Sequence, residues 1–140
     1  MLHYDIPVNL VTTYGGWKNR KTIDFFARYV ETIVTELGDL VDFWLPFNEF
    51  NAARFSPWDE GENFDRAIFQ CLHHEFVANA RAVEIVHRLS PDTPVGGMIA
   101  RFCTYPATCR PEDNMQAIHD DQYSNWFYTD VMARGKYPAY

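Results

Sequence analysis

Two short, largely apolar segments constrain this chain most. Val41-Asp42-Phe43-Trp44-Leu45-Pro46-Phe47 and Val95-Gly96-Gly97-Met98-Ile99-Ala100 read as short buried strands. Nearly continuous apolar runs of this length suit a parallel sheet covered on both faces. Pro46 has no N–H to give a ladder, so the first strand is expected to end or bend there. Around these runs lie helical periods. Ile23, Phe26, Val30, Ile33, Val34 and Leu37 share one face, with Asn19 as the expected N-cap and Gly38 as the stop. A second helix is predicted over Phe64–Leu89, with Ile68, Leu72, Phe76, Val83 and Val86 as its stripe and Pro91 beyond its end. A third is predicted from Pro111-Glu112-Asp113 to near Gly135, with proline and acids in the first turn.

The remaining segments read as connections. The chain opens on His3-Tyr4-Asp5-Ile6-Pro7, followed by a turn-rich stretch that ends in Tyr14-Gly15-Gly16-Trp17. A polar loop is predicted over Asn51–Asn63, and another holds Tyr105, Pro106 and Cys109. The order is strand end, helix, strand, helix, strand, helix. Such alternation implies parallel strands joined by right-handed crossovers, an α/β class. The pattern alone does not decide between a doubly wound sheet and a (β/α)8 barrel. No GxGxxG or P-loop follows a strand, which argues against nucleotide binding.

Composition narrows the function classes. The 140 residues fit one domain, and 47% apolar with 22% charged residues is globular rather than disordered. Twelve basic residues against 19 acidic ones leave a formal charge of −7. No basic face for nucleic acid or anionic lipid is expected, so neither is a predicted partner. No run reaches the ~18 apolar residues of a membrane span. The start lacks the basic and apolar regions of a secretion signal, and Cys71, Cys103 and Cys109 are an odd, sparse set. Free thiols in a cytoplasmic protein are the expectation.

Asn48-Glu49 is the sharpest chemical feature. A carboxylate at the C-terminal end of a buried strand stands where α/β barrels place catalytic groups. Beside Trp44, Phe47 and Phe50 it is expected to be partly desolvated, which suits a general acid. Adjacent strand residues face opposite ways, so Asn48 and Glu49 share a pocket only if the strand ends or bulges there. By spacing alone, the commoner occupant of such a position is a solvated loop carboxylate. His3 in turn is more often a hydrogen-bonded structural residue than a ligand.

The other candidates are weaker. His73-His74-Glu75 does not converge on a metal, because neighbours on a helix point ~100° apart and HExxH needs histidines at i and i+4. The cysteines lack zinc spacing, and Ser56 and Ser90 lack a GxSxG context. Neither a metal nor a cofactor is expected. Trp17, Trp58 and Trp126 are open to either a core or a sugar-platform role.

Three stretches carry a resemblance. His3-Tyr4-Asp5-Ile6-Pro7, Tyr14-Gly15-Gly16-Trp17-Lys18-Asn19-Arg20-Lys21 and Phe43-Trp44-Leu45-Pro46-Phe47-Asn48-Glu49 resemble glycoside hydrolase family 1 in wording, order and spacing. The family's Thr-Phe-Asn-Glu pattern has Pro46 in place of the Thr, and Phe50 follows the acid. Tyr105–Asp113, Asp130-Val131 and Arg134–Pro138 are similar to the family's bacterial 6-phospho-β-glucosidase branch.

The resemblance implies a partial (β/α)8 TIM barrel, roughly strands three to five with their helices. It implies that residues 1–140 form an incomplete portion of one domain. It further implies retaining hydrolysis of a β-glucoside or 6-phospho-β-glucoside. Carried over by position, Glu49 is the acid/base, Asn48 contacts the sugar, and His3 binds a glycone hydroxyl. Tyr4 stands where the family often has a glycone-facing Trp. The family's nucleophile motif, Thr-Glu-Asn-Gly-like, does not occur, so the expectation is a fragment inactive by itself. The alternative is a non-catalytic module for sugar binding or assembly. Oligomeric state is not legible.

Overall fold

The computed structural model describes residues 1–2, 5–55 and 64–140. His3, Tyr4 and the stretch 56–63 lie outside the described residues. Two long helices predicted from the sequence form the frame: α2, Lys21–Leu37, and α3, Phe64–Leu89. In α2 the predicted stripe is buried at Ile23, Phe26, Val30 and Val34, whereas Leu37 is exposed. The N-cap position falls on Arg20 rather than Asn19, but Asn19, one residue earlier, accepts the Lys21 N–H on Oδ1 at 3.0 Å. Gly38 follows the last turn and donates its N–H to the Val34 carbonyl.

Helix α3 is buried over more of its circumference than a single stripe provides. Ile68, Cys71, Leu72, His74, Glu75, Phe76, Ala78, Asn79, Ala82 and Val86 are all buried. Such a helix has neighbours on more than one side. It packs along α2, and Arg88 reaches Glu31 at 2.7 Å across the join while Arg81 pairs with Asp24.

The two apolar runs are extended and parallel, but the predicted strands reduce to one isolated bridge, Trp44 with Val95, among the described residues. The Trp44 N–H donates to Pro94 O at 3.0 Å, and the Gly96 N–H donates to Trp44 O at 2.9 Å. The next rung of a parallel ladder needs an N–H from residue 46. Pro46 has none, so the ladder ends after one bridge. On its other side the first run accepts a bond from the Leu2 N–H to Leu45 O, 2.9 Å.

Two further expectations are corrected. The turn-rich opening contains a helix, α1, Val8–Tyr14, closed by Gly15 in the left-handed region at φ 80°. Its seven residues include β-branched Val and Thr and bury nothing, so no apolar period announced it. The predicted final helix is split into α4, Pro111–Asp121, a π turn, Gln122–Trp126, and α5, Phe127–Arg134. Its predicted ends hold, with Pro111 in the first turn and left-handed Gly135 closing it.

The core is a run of aromatic rings between the helices and the extended segments. Trp17 meets Phe26 and Phe47 at 5.8 and 5.7 Å between centroids. Phe47 stacks on Phe50 at 4.8 Å, and Phe50 stacks on Phe76 of α3 at 5.0 Å. Offset contacts of this kind add to the burial of the rings themselves.

Candidate functional site

The first extended run leads directly to Asn48-Glu49. Phe47 and Phe50, on either side of the pair, are fully buried, while Asn48 and Glu49 are half-buried. The alternation of a strand is broken at Glu49, whose φ is 49°. A non-glycine residue in the left-handed region costs ~1–3 kcal/mol and persists only where its surroundings enforce it. The chain then winds into a 3-10 turn over Phe50–Phe55, with the Ala52 N–H donating to Glu49 O at 2.8 Å. The condition for Asn48 and Glu49 to face one side, that the strand ends there, is therefore met.

The turn is bonded to the second extended run. The Phe50 N–H donates to Met98 O at 3.4 Å. Asn51, wholly buried, accepts the Ala100 N–H on Oδ1 at 2.9 Å and donates from Nδ2 to the Ala100 and Ser124 carbonyls. Asn125 does the same one step on, accepting the Phe102 N–H at 3.0 Å and donating to Phe102 O at 2.7 Å. Asp121 accepts from Asn125, Arg101 and Trp126, and these bonds hold its carboxyl below the usual range, led by the Arg101 guanidinium.

The other candidates fall elsewhere. His3 and Tyr4 lie outside the described residues, as do Trp58 and Ser56. Trp17 is a core residue, 1% exposed, whereas Trp126 is half-exposed with its Nε1–H on Asp121. Ser90 closes a turn with Thr93, 2.6 Å between hydroxyls. Cys71 is buried, and burial, seconded by Glu75, pushes its thiol up to about 11, which makes it a poor nucleophile; Cys103 and Cys109 are exposed.

The residues of the His73-His74-Glu75 run make separate contacts. His74 bridges the Trp17 carbonyl on Nδ1, 2.7 Å, and Gln70 on Nε2, 2.8 Å. A carbonyl can only accept, so His74 donates from Nδ1 and receives the Gln70 amide. His73 meets the Tyr137 hydroxyl at 2.7 Å, and burial first, then His74 and Arg20, lower its pKa. Glu75 is 1% exposed, and its Oε1 has no hydrogen-bond partner among the described residues. Burial pushes its carboxyl up to about 8.

Sequence reasoning missed Asn51, Asn125 and the burial of Glu75. Both asparagines are polar residues beside aromatic ones, and residue type alone does not mark an asparagine as interior. Glu75 stands three positions after Leu72 and seven after Ile68, so helical spacing could have placed it on the inner face. Among the described residues, no three side chains of metal-binding type cluster, and no helix is long and apolar enough to cross a membrane.

Comparison with known proteins follows the same residues. The model of Glycosyl hydrolase family 1 matches residues 1–140. The chain is 44% identical to the 6-phospho-beta-glucosidase AscB of Escherichia coli, over all of this chain and 31% of that protein. It is 43% identical to the aryl-phospho-beta-D-glucosidase BglH of Bacillus subtilis, over 99% of this chain and 31% of that one. Among solved structures, the beta-glucosidase of Thermotoga maritima in complex with deoxynojirimycin superposes with a TM-score of 0.85 at 26% identity, over 99% of this chain and 32% of that one. The virulence factor SghA of Agrobacterium tumefaciens, in complex with its substrate analog salicin, superposes with a TM-score of 0.83 at 30% identity, over 99% and 32%. The chain thus spans about a third of the length of the proteins it resembles.

Proposed function

Because this chain belongs to glycosyl hydrolase family 1, we propose that it carries the acid/base half of a retaining 6-phospho-β-glucosidase site. The observation that supports this most is Glu49. It is a half-buried carboxylate at the end of an apolar extended run, set on a left-handed turn, in a chain 44% identical to a 6-phospho-β-glucosidase. The fold proposed with it is a partial (β/α)8 barrel, in which the parallel runs at Trp44 and Val95 are neighbouring strands. Glu49 then stands on the rim where such barrels hold their chemistry.

In this reading Glu49 protonates the leaving oxygen and later takes a proton from water, while a second carboxylate ~5–5.5 Å away attacks the anomeric carbon. Asn48 donates to a sugar hydroxyl beside the scissile bond, and His3 and Tyr4 take the glycone. The second carboxylate is not supplied by the glutamates described here. Glu75 is enclosed in the core, and Glu31, Glu36, Glu84 and Glu112 are exposed on the helices. The substrate is a soluble sugar phosphate, which fits a cytoplasmic enzyme, and neither a cofactor nor a metal enters the chemistry.

The test is a graft. Residues 1–140 replace the matching segment of the Escherichia coli relative, and hydrolysis is followed on a nitrophenyl 6-phospho-β-glucoside and on cellobiose phosphate. Glu49→Ala is expected to cost ~10²–10⁴-fold. The loss should be larger on cellobiose phosphate, whose poor leaving group needs the proton more. Equal activity with and without Glu49 would sink the assignment. The 140-residue chain alone is expected to turn over neither substrate, and turnover abolished by Glu49→Ala would overturn the half-site reading.

A further inference from the structure

We propose that Asn51 is the positioning residue of Glu49: its carboxamide stands in for a missing strand neighbour and thereby locks the left-handed turn that aims the Glu49 carboxylate. The proposal rests on the reading of Glu49 as acid/base.

The register of the second extended run carries the argument. In a strand, the N–H and C=O of one residue point to the same edge, and so do those of residues two apart. Pro94 O, Gly96 N, Met98 O, Ala100 N and O, and Phe102 N and O are all bonded, and all belong to even-numbered residues of one edge. As far as Met98 the partners are backbone groups, at Trp44 and Phe50. Beyond Met98 the first run has turned away at Glu49, and no peptide remains to continue. Asn51 supplies a peptide-like group there, its Oδ1 taking the Ala100 N–H and its Nδ2 giving to the Ala100 carbonyl. The amide's remaining donor capacity goes to Ser124 O, 2.9 Å, in the π turn between α4 and α5.

Asn51 is thus held from two elements and has no exposed surface. Glu49 lies two residues before it, between the two rings of the Phe47–Phe50 stack in the chain. Phe50 and Asn51 are both tied to the second run, through Met98 and Ala100, and the chain enters this tether with φ of Glu49 at 49°. Glutamate does not choose that conformation by itself. Released from the clamp, it returns to the extended or right-handed region, and its carboxylate is carried off the rim direction.

The test uses the 140-residue chain. The Glu49 HN–Hα coupling and Cα shift report its φ by NMR, alongside thermal melting. Asn51→Leu, of similar size but without the bonds, is expected to move both signals out of the left-handed range. Asn125→Leu, which removes the same kind of clamp one step further along, is expected to lower the melting temperature and leave Glu49 unmoved. A merely structural Asn51 would behave as Asn125 does, and that result would overturn the proposal. If Asn51→Leu does not fold, Asn51→Ser carries the same measurement. A melting cycle adds an independent reading: Glu49→Gly is expected to raise the melting temperature in the Asn51 background and not beside Asn51→Ser. Equal shifts in the two backgrounds would overturn it. In the graft, Asn51→Ser is expected to lower kcat ~10–100-fold with KM little changed. If Glu49→Ala leaves that graft active while the NMR coupling holds, the acid/base reading fails and the positioning stands.

Discussion

Phe47 and Phe50 stack on each other with centroids 4.8 Å apart and planes 25° apart, and the two residues between them are half-buried. The stack holds the backbone on both sides of Asn48-Glu49 against the core. Both rings are buried, at 1% and 2% exposure. Phe50→Ala is therefore expected to cost about 3–5 kcal/mol, the range for removing a fully packed Phe. Urea unfolding of the 140-residue chain measures it. A loss under about 1 kcal/mol would mean that the ring is not a core member.

Glu75 makes stability fall as pH rises. Its folded pKa of about 8 lies above the ordinary 4.5, because burial disfavours the charged form. The folded chain therefore holds a proton that the unfolded chain has released. The stabilisation is fully present below pH 4.5 and is lost as pH rises towards 8. The slope from this group approaches ~1.4 kcal/mol per pH unit inside that window. Melting temperature followed from pH 5 to 8 is expected to decline, and Glu75→Gln to flatten the decline. Parallel curves for the two proteins would refute it.

Gly15 and Gly16 separate strain from crowding. Both have positive φ, 80° and 59°, so alanine at either is strained by ~1–2 kcal/mol. A Cβ at Gly15 meets open space, whereas one at Gly16 comes within 3.3 Å of Ile6 Cδ1. Gly16→Ala is expected to be the more destabilising of the two in chemical denaturation. The reverse order would contradict the packing around Ile6.

The Arg88–Glu31 pair on the α2–α3 join adds little. Its side chains are 57% and 50% exposed. Glu31→Gln is expected to cost no more than ~0.2–1 kcal/mol, with the difference shrinking in 1 M salt. Denaturation at low and high salt checks both statements.

The long helices were legible because burial imposes a period that residue types reveal. The Ile23–Val34 stripe and the Phe64–Leu89 span both follow it. Helix α1 was not, because it buries nothing and leaves no stripe. The strands were legible as apolar runs, but not the length of their ladder, which a missing N–H at Pro46 cuts to one bridge. At the candidate site, Asn48-Glu49 was readable from its place after an apolar run, and the family from the wording around it.

What the sequence determined by itself is thus the helical frame, the family and the identity of the candidate acid. Tertiary structure alone decided the left-handed backbone of Glu49, the clamp at Asn51 and the uncharged state favoured for Glu75. Periodicity and motif are carried by neighbours along the chain. The Asn51–Ala100 bonds span 49 residues, and a buried amide or carboxyl is defined by what packs around it, which no local pattern contains.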